Sequence, residues 1–120
     1  MWIEAGQTRL EITDHEGAER AFQVALALVD LSTDAMIGLA QAQLGLEQYA
    51  GAETAASRLL EIYPDHAAAR AARAEARLNL GTLERAAEDI TIAISQEPDQ
   101  VSHYVLRGRI NEALRRQAQN

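Results

Sequence analysis

The chain has 120 residues, of which 48% are hydrophobic and 4% aromatic, and it carries a net charge of −7 at pH 7. The absence of cysteine excludes a disulfide framework and a thiolate metal site, and the acidic balance is unfavourable for binding a phosphate backbone. Alanine is the commonest residue and proline occurs only twice, so the composition predicts an all-α protein.

The first predicted unit occupies about residues 1–32. A helix covers residues 1–12, a turn follows at residues 13–15, and a return helix runs from Glu16 to Val29. Trp2 falls on the packing face of the first helix, where a core role is more reasonable than a ligand platform. This pattern predicts that the first unit forms one helical hairpin.

The second predicted unit occupies about residues 33–66. Its first helix runs from Asp34 to Leu46, and its return helix from Ala50 to Ile62. Because the residue before a proline is pushed out of the α region, the return helix should end near Tyr63, just before Pro64.

The third predicted unit, about residues 67–100, repeats this plan. Its first helix runs from about His66 to Leu80 and ends at Gly81, which suits a left-handed helix cap. Its second helix runs from about Glu84 to Gln96 and stops before Pro98.

A lone helix is predicted after the third unit, at about residues 101–118. Its C-terminal end is polar, as expected for a capping helix that covers an apolar flank and shows water its outer side. We expect residues 1–120 to form a single domain of three hairpins and this cap.

Residue types recur along these units in steps of 34. The series are Gly6, Ala40, Ala74 and Gly108; Ala18, Ala52 and Ala86; Leu10, Leu44 and Leu78; and Pro64 and Pro98. A period of this length is typical of stacked helical hairpins. It predicts an α-solenoid of antiparallel helix pairs with about seven helices.

With these residues the chain resembles the tetratricopeptide repeat family. The matching positions are Trp2, Gly6, Ala18 and Phe22; Leu39, Ala40, Tyr49, Ala52 and Pro64; and Ala74, Gly81, Ala86, Ile90 and Pro98. The resemblance implies a right-handed superhelix whose concave face, lined by the first helix of each pair, binds peptides. It does not identify the partner, because such a fold hosts many unrelated ones.

The third unit departs from the family pattern at Arg70, Arg73 and Arg77, where large apolar residues are common. One branch of the family carries Arg before the small residue and Asp in the following helix, and Arg73 with Asp89 resembles it. Because a buried charge must be paired, we predict a structural ion pair of Asp89 with Arg73, or with Arg107 from the next helix.

No arrangement suited to catalysis, a metal or a cofactor is found in the sequence. His15, His66 and His103 share no metal-ligand spacing with carboxylates, so each is expected to be solvated or to cap a helix. There is no serine-nucleophile turn and no glycine-rich phosphate loop. We therefore predict a protein that is not an enzyme and binds no cofactor.

The first helices of the units should together line a groove. The predicted lining residues are Ile3, Gln7 and Leu10; Ile37, Gln41 and Leu44; Ala71, Glu75, Leu78 and Asn79; and Val105 and Arg109. Their spacing of three or four residues places each set on one helical face. Such a lining suits a helix or extended segment with two or three apolar anchors.

Two functions remain open from the sequence. One is an interaction scaffold that binds a peptide or helix of another protein, and the other is a structural or homo-oligomerisation module, possibly within a larger protein. The chain has no lysine and lacks the Lys, Asn and Arg clamp with which some family members grip acidic chaperone tails, so no such tail is expected to bind. Nucleic acid is not an expected partner, because the chain is acidic. A membrane is not expected either, since no apolar run approaches the roughly 20 residues of a membrane span. A cytoplasmic location is expected.

Overall fold

The computed structural model describes residues 15–28 and 33–119. These residues form six α-helices: α1 (His15–Leu28), α2 (Thr33–Gly45), α3 (Tyr49–Ile62), α4 (Ala67–Leu80), α5 (Leu83–Gln96) and α6 (Val101–Gln119). Within these two ranges there is no strand, and none of the helices is long and apolar enough to cross a membrane. The all-α prediction is confirmed, while the predicted helix at residues 1–12 lies outside the described part.

The predicted stop signals end the helices. Gly81 follows α4 with φ of +87°, and its N–H donates to the carbonyl oxygens of Arg77 and Leu78. This left-handed conformation favours glycine because a Cβ would crowd the backbone. At the other end of α4, Nδ1 of His66 accepts a hydrogen bond of 3.1 Å from the N–H of Ala69, so His66 caps the helix as predicted.

Consecutive helices from α2 onward are joined by two to four residues, which makes neighbouring helices antiparallel. Besides these sequential contacts, α2 packs against α4, and α4 packs against α6. Among the described helices, the alternate helices α3 and α5 do not pack against each other. Because the inner row of a curved stack has the smaller radius, α2, α4 and α6 form the concave side.

The repeated small residues let the helices approach closely. Ala18, Ala40, Ala52, Ala74 and Ala86 are all fully buried. Such an interior is held by close backbone approach as well as by large side chains, and Phe22, Leu59, Ile90 and Ile110 are its largest fully buried residues.

Gly38 of α2 lies close to the Phe22 ring of α1. A Cβ at this position would lie 2.2 Å from Cζ of Phe22, whose ring is completely buried. The absence of a side chain at residue 38 is therefore what allows the Phe22 ring to lie against α2.

The last helix covers the apolar flank of the third unit. Leu106 and Ile110 of α6 pack with Ile90 and Ala93 of α5 in one cluster of buried residues. Other residues of α6 are exposed, with Val101 and Val105 at 72% and 61% of full exposure.

Candidate functional site

The concave side of the stack holds an open groove between α2, α4 and α6, with a volume of about 510 Å³. Its lining residues are Gln41 and Leu44; Ala68, Ala71, Ala72 and Glu75; Glu97 and Gln100; and Ser102, His103, Val105, Leu106 and Arg109. All three inner helices contribute, so the groove depends on the stacking of successive units.

The floor of the groove is apolar and is formed by small side chains. Ala68, Ala71 and Ala72 of α4 contribute only methyl groups, while Leu44 of α2 and Val105 of α6 stand on either side. Because a methyl floor brings the α4 backbone near the surface, a second polypeptide can approach it closely. Leu44 and Val105 supply the larger apolar contacts.

The charged groups of the lining are two carboxylates, Glu75 and Glu97, and one guanidinium, Arg109. Gln41 and Gln100 add neutral amides that can donate and accept hydrogen bonds. Within the described lining the formal charge is therefore slightly negative.

His103 is one of the lining residues and is only 4% exposed. Its Nε2 lies 2.9 Å from Oε1 of Glu97, and this contact ties the connection before α6 to the helix itself. The expectation that His103 would be solvated or cap a helix is wrong, because the short α5–α6 connection brings a carboxylate back over the ring.

The structure brings half of the predicted groove residues together. Those that line the groove are Gln41, Leu44, Ala71, Glu75, Val105 and Arg109. Ile37, Leu78 and Asn79 are not among the lining residues. Ile37 and Leu78 pack against clusters of core residues, and Nδ2 of Asn79 donates to the backbone oxygen of Glu75 at 2.9 Å. Ile3, Gln7 and Leu10 lie outside the described residues.

Several lining residues were not predicted from the sequence. Glu97 and Gln100 belong to the connection between α5 and α6, and Ser102 lies one helical turn before Val105. The spacing from Val105 could have indicated Ser102. The connection carries no helical periodicity, so nothing in the pattern indicated the other two.

Away from the groove, three arginines of α4 converge on one carboxylate of α5. Nε and Nη2 of Arg73 donate to Oδ2 and Oδ1 of Asp89 at 2.9 and 2.8 Å, and Nη1 of Arg77 donates to Oδ2 at 2.8 Å. Nη1 of Arg70 lies 3.8 Å from Oδ1. The Asp89 side chain is 3% exposed, so its charge is buried but well paired.

This arginine cluster also contacts α3. Nε of Arg77 donates to Oε2 of Glu53 at 2.8 Å, and Nη1 of Arg73 donates to the Ser57 hydroxyl at 3.3 Å. Hydrogen bonding to Asp89 raises the pKa of Arg73, against the lowering effect of burial. The cluster therefore joins three successive helices, which is what a structural ion pair does.

Arg107, predicted as an alternative partner of Asp89, does not contact it. Arg107 is exposed, and its guanidinium carbon lies 5.1 Å from the centre of the Tyr104 ring. Leu106 and Ile110 occupy the face of α6 that meets α5, and this orientation turns Arg107 away from Asp89.

The comparisons with known proteins agree with this geometry. The family model of the tetratricopeptide repeat matches residues 3–67 and 37–100, whereas no curated protein matches the chain. The first TPR domain of human RPAP3 superposes with a TM-score of 0.92 at 19% identity, covering 99% of this chain and 94% of that one.

Two further neighbours were determined with bound peptides. The first TPR of Spaghetti (RPAP3), bound to the HSP90 peptide SRMEEVD, gives a TM-score of 0.88 at 20% identity and covers 94% of this chain and 90% of that chain. The second TPR domain of human RPAP3, in complex with the HSP70 peptide SGPTIEEVD, gives 0.84 at 21% identity and covers 90% of both. Since these neighbours bind the acidic peptides SRMEEVD and SGPTIEEVD, the fold gives no support to the predicted exclusion of acidic chaperone tails.

Proposed function

The chain belongs to the tetratricopeptide repeat family, and from this premise we propose that it is a non-enzymatic interaction scaffold that binds a segment of another protein in its concave groove. The observation that carries the proposal is the groove of about 510 Å³, to which all three inner helices contribute. Tetratricopeptide repeats mediate protein–protein interactions, and the two peptide-bound neighbours have the same fold.

The groove lining supports a peptide or helix with few charges as the bound segment. The methyl groups of Ala68, Ala71 and Ala72 accept a closely approaching backbone or small side chains, and Leu44 and Val105 accept two or three apolar anchors. The amides of Gln41 and Gln100 can satisfy backbone groups of the segment, as recognition of an extended chain requires.

The charges of the groove support a neutral or basic segment over an acidic one. Glu75 and Glu97 repel carboxylates, and Arg109 is the single cation of the described lining. Like charges that face each other across an interface weaken the free energy of binding by roughly several kcal/mol. We therefore propose that this groove discriminates against acidic chaperone tails, although its fold is shared with proteins that bind them.

A displayed library of random 12-residue peptides tests the proposal without a known partner. Peptides selected on the parent protein are measured by fluorescence polarisation against Val105→Arg, which places a long cation in the groove. The matched control is Thr91→Arg, which changes another exposed β-branched residue on the outer helix α5.

We expect Val105→Arg to weaken binding at least about tenfold, a change of about 1.4 kcal/mol, and Thr91→Arg to leave it within about twofold. The acidic peptide SRMEEVD should bind no more tightly than a scrambled control. Equal effects of the two substitutions would show that the groove is not the site, and tight binding of SRMEEVD would contradict the proposed charge preference.

A further inference from the structure

The exposed side of α6 carries an unfilled packing position. Val101, Tyr104, Arg107 and Gly108 lie on this side and form what we term the open α6 face; Val101 and Tyr104 are 72% and 39% exposed. A Cβ built on Gly108 would meet no atom within 4 Å. Large apolar side chains therefore surround a site where a second backbone could approach closely.

The repeat shows what normally covers such a face. Ala74 of α4 stands one step of 34 residues before Gly108, and it is fully buried with Ala86 and Ile90 of α5 in one cluster. Ala67, one step before Val101, is 7% exposed. On α4 the face is thus covered by the helix that follows, whereas on α6 no described helix covers it.

Arg107 indicates the chemistry that a helix on the open α6 face would need. It stands one step after Arg73, whose guanidinium meets Asp89 of the covering helix at 2.8 and 2.9 Å. Within the described residues Arg107 has no ion pair, and its guanidinium lies over the Tyr104 ring. The open α6 face therefore presents a cation where the equivalent position is met by a carboxylate.

We propose that the open α6 face docks an amphipathic helix of a partner protein, with a small residue over Gly108 and, three residues later, a carboxylate facing Arg107. The pattern is that of α5, where Ala86 and Asp89 are three residues apart. Bidentate pairing of a carboxylate with arginine fixes both position and orientation, so the charge sets the register of the docked helix.

A second copy of this chain does not offer α5 for this purpose. The residues of α5 that carry the pattern are buried in their own fold: Ala86 and Ile90 are at 0% exposure and Asp89 at 2%. We therefore assign the face to a helix of a different protein, which presents its small and acidic residues exposed.

A labelled peptide with the α5 sequence LERAAEDITIAISQ, made helical by a side-chain crosslink on its polar face, tests the proposal by fluorescence polarisation. The intact parent protein should bind it, and Arg107→Glu should weaken binding by about tenfold, because a pair of opposite charges becomes a repulsive pair. A peptide in which the aspartate is replaced by arginine should show the reverse preference and bind Arg107→Glu better than the parent.

Arg85→Glu is the matched control, since Arg85 is an exposed arginine of the outer helix α5 and belongs neither to the groove lining nor to the open α6 face; it should leave peptide binding unchanged. No binding, or equal binding to the parent and to Arg107→Glu, would overturn the proposal. A concentration-dependent dimer in light scattering that Arg107→Glu abolishes would also overturn it, because the occupant would then be a second copy.

Discussion

Arg73 and Asp89 meet through two hydrogen bonds of 2.9 and 2.8 Å at a place where the preceding unit carries Leu39 and Ala55. Leu39 and Ala55 are buried there in an apolar cluster. One helical hairpin thus uses apolar packing and the next uses an ion pair at equivalent positions. The backbone geometry of the repeat accommodates both, which makes the arginine cluster a local replacement for apolar packing.

The first prediction concerns the loss of the carboxylate. Asp89→Ala removes the shared partner of Arg70, Arg73 and Arg77, so Glu53, which pairs with Arg77, is the one carboxylate of the cluster that remains for three partly buried arginines. Breaking a buried pair in this way destabilises proteins by about 3–5 kcal/mol. Urea denaturation followed by circular dichroism should show a loss of this size.

A double variant replaces this ion pair with the residue types of the second unit, Leu39 and Ala55. Arg73→Leu combined with Asp89→Ala removes both charges, and it should cost less than the sum of the two single variants, because residues in direct contact couple by about 0.5–3 kcal/mol. A double variant as unstable as the sum of the two single variants would show that Arg73 and Asp89 do not act as a pair.

The second prediction concerns two glycines with opposite surroundings. Gly38→Ala would place a Cβ 2.2 Å from the buried Phe22 ring, and overpacking of this kind costs about 1–3 kcal/mol. Gly108→Ala meets open space and should stabilise α6 by about 0.5–1 kcal/mol through helix propensity. Thermal melts should move in opposite directions; a common direction would contradict the packing described for α1 and α2.

The third prediction concerns the capping role of α6. Ile110 is fully buried against α5, so Ile110→Ala should cost about 2–5 kcal/mol. Val105→Ala lies on the same helix but is 61% exposed, and it should change the free energy of unfolding by no more than about 0.5 kcal/mol. Equal urea midpoints for the two variants would mean that α6 does not cover the third unit.

The fourth prediction concerns pH. Asp89 raises the pKa of Arg73 above an ordinary value that is already far above neutral. A group with a raised folded-state pKa contributes its full stabilisation below its unfolded-state pKa and loses it only at still higher pH. The stability difference between the parent and Arg73→Leu should therefore stay constant between about pH 6 and 9, as measured by urea titrations. A difference that decreases within this range would contradict the assignment.

The sequence predicted the helices well because their boundaries depend on local chemistry. Proline at residues 64 and 98 and glycine at residue 81 act on the backbone next to them, and α3, α4 and α5 end where these residues indicate. The Arg73–Asp89 contact was also predictable, because a buried charge on one helix of a hairpin needs a partner on the other.

The groove was only partly predictable because its lining depends on the angles between helices. Leu78 continues the face of Ala71 and Glu75 along α4, yet it is not among the residues that line the groove. Which part of each inner helix faces the groove depends on how the helices are packed against one another, and no pattern within one helix records that packing. Glu97 enters the site from a connection, where periodicity gives no information.

The central claim is that the concave face is the binding surface, and a nuclear magnetic resonance titration of the ¹⁵N-labelled protein with a library-selected peptide tests it most directly. The account predicts that the largest amide shift changes fall on the inner helices, at residues such as Gln41, Ala68 and Val105. Outer positions such as Thr91 of α5 should hardly change. Shift changes confined to α3 and α5, with the groove residues unaffected, would contradict it.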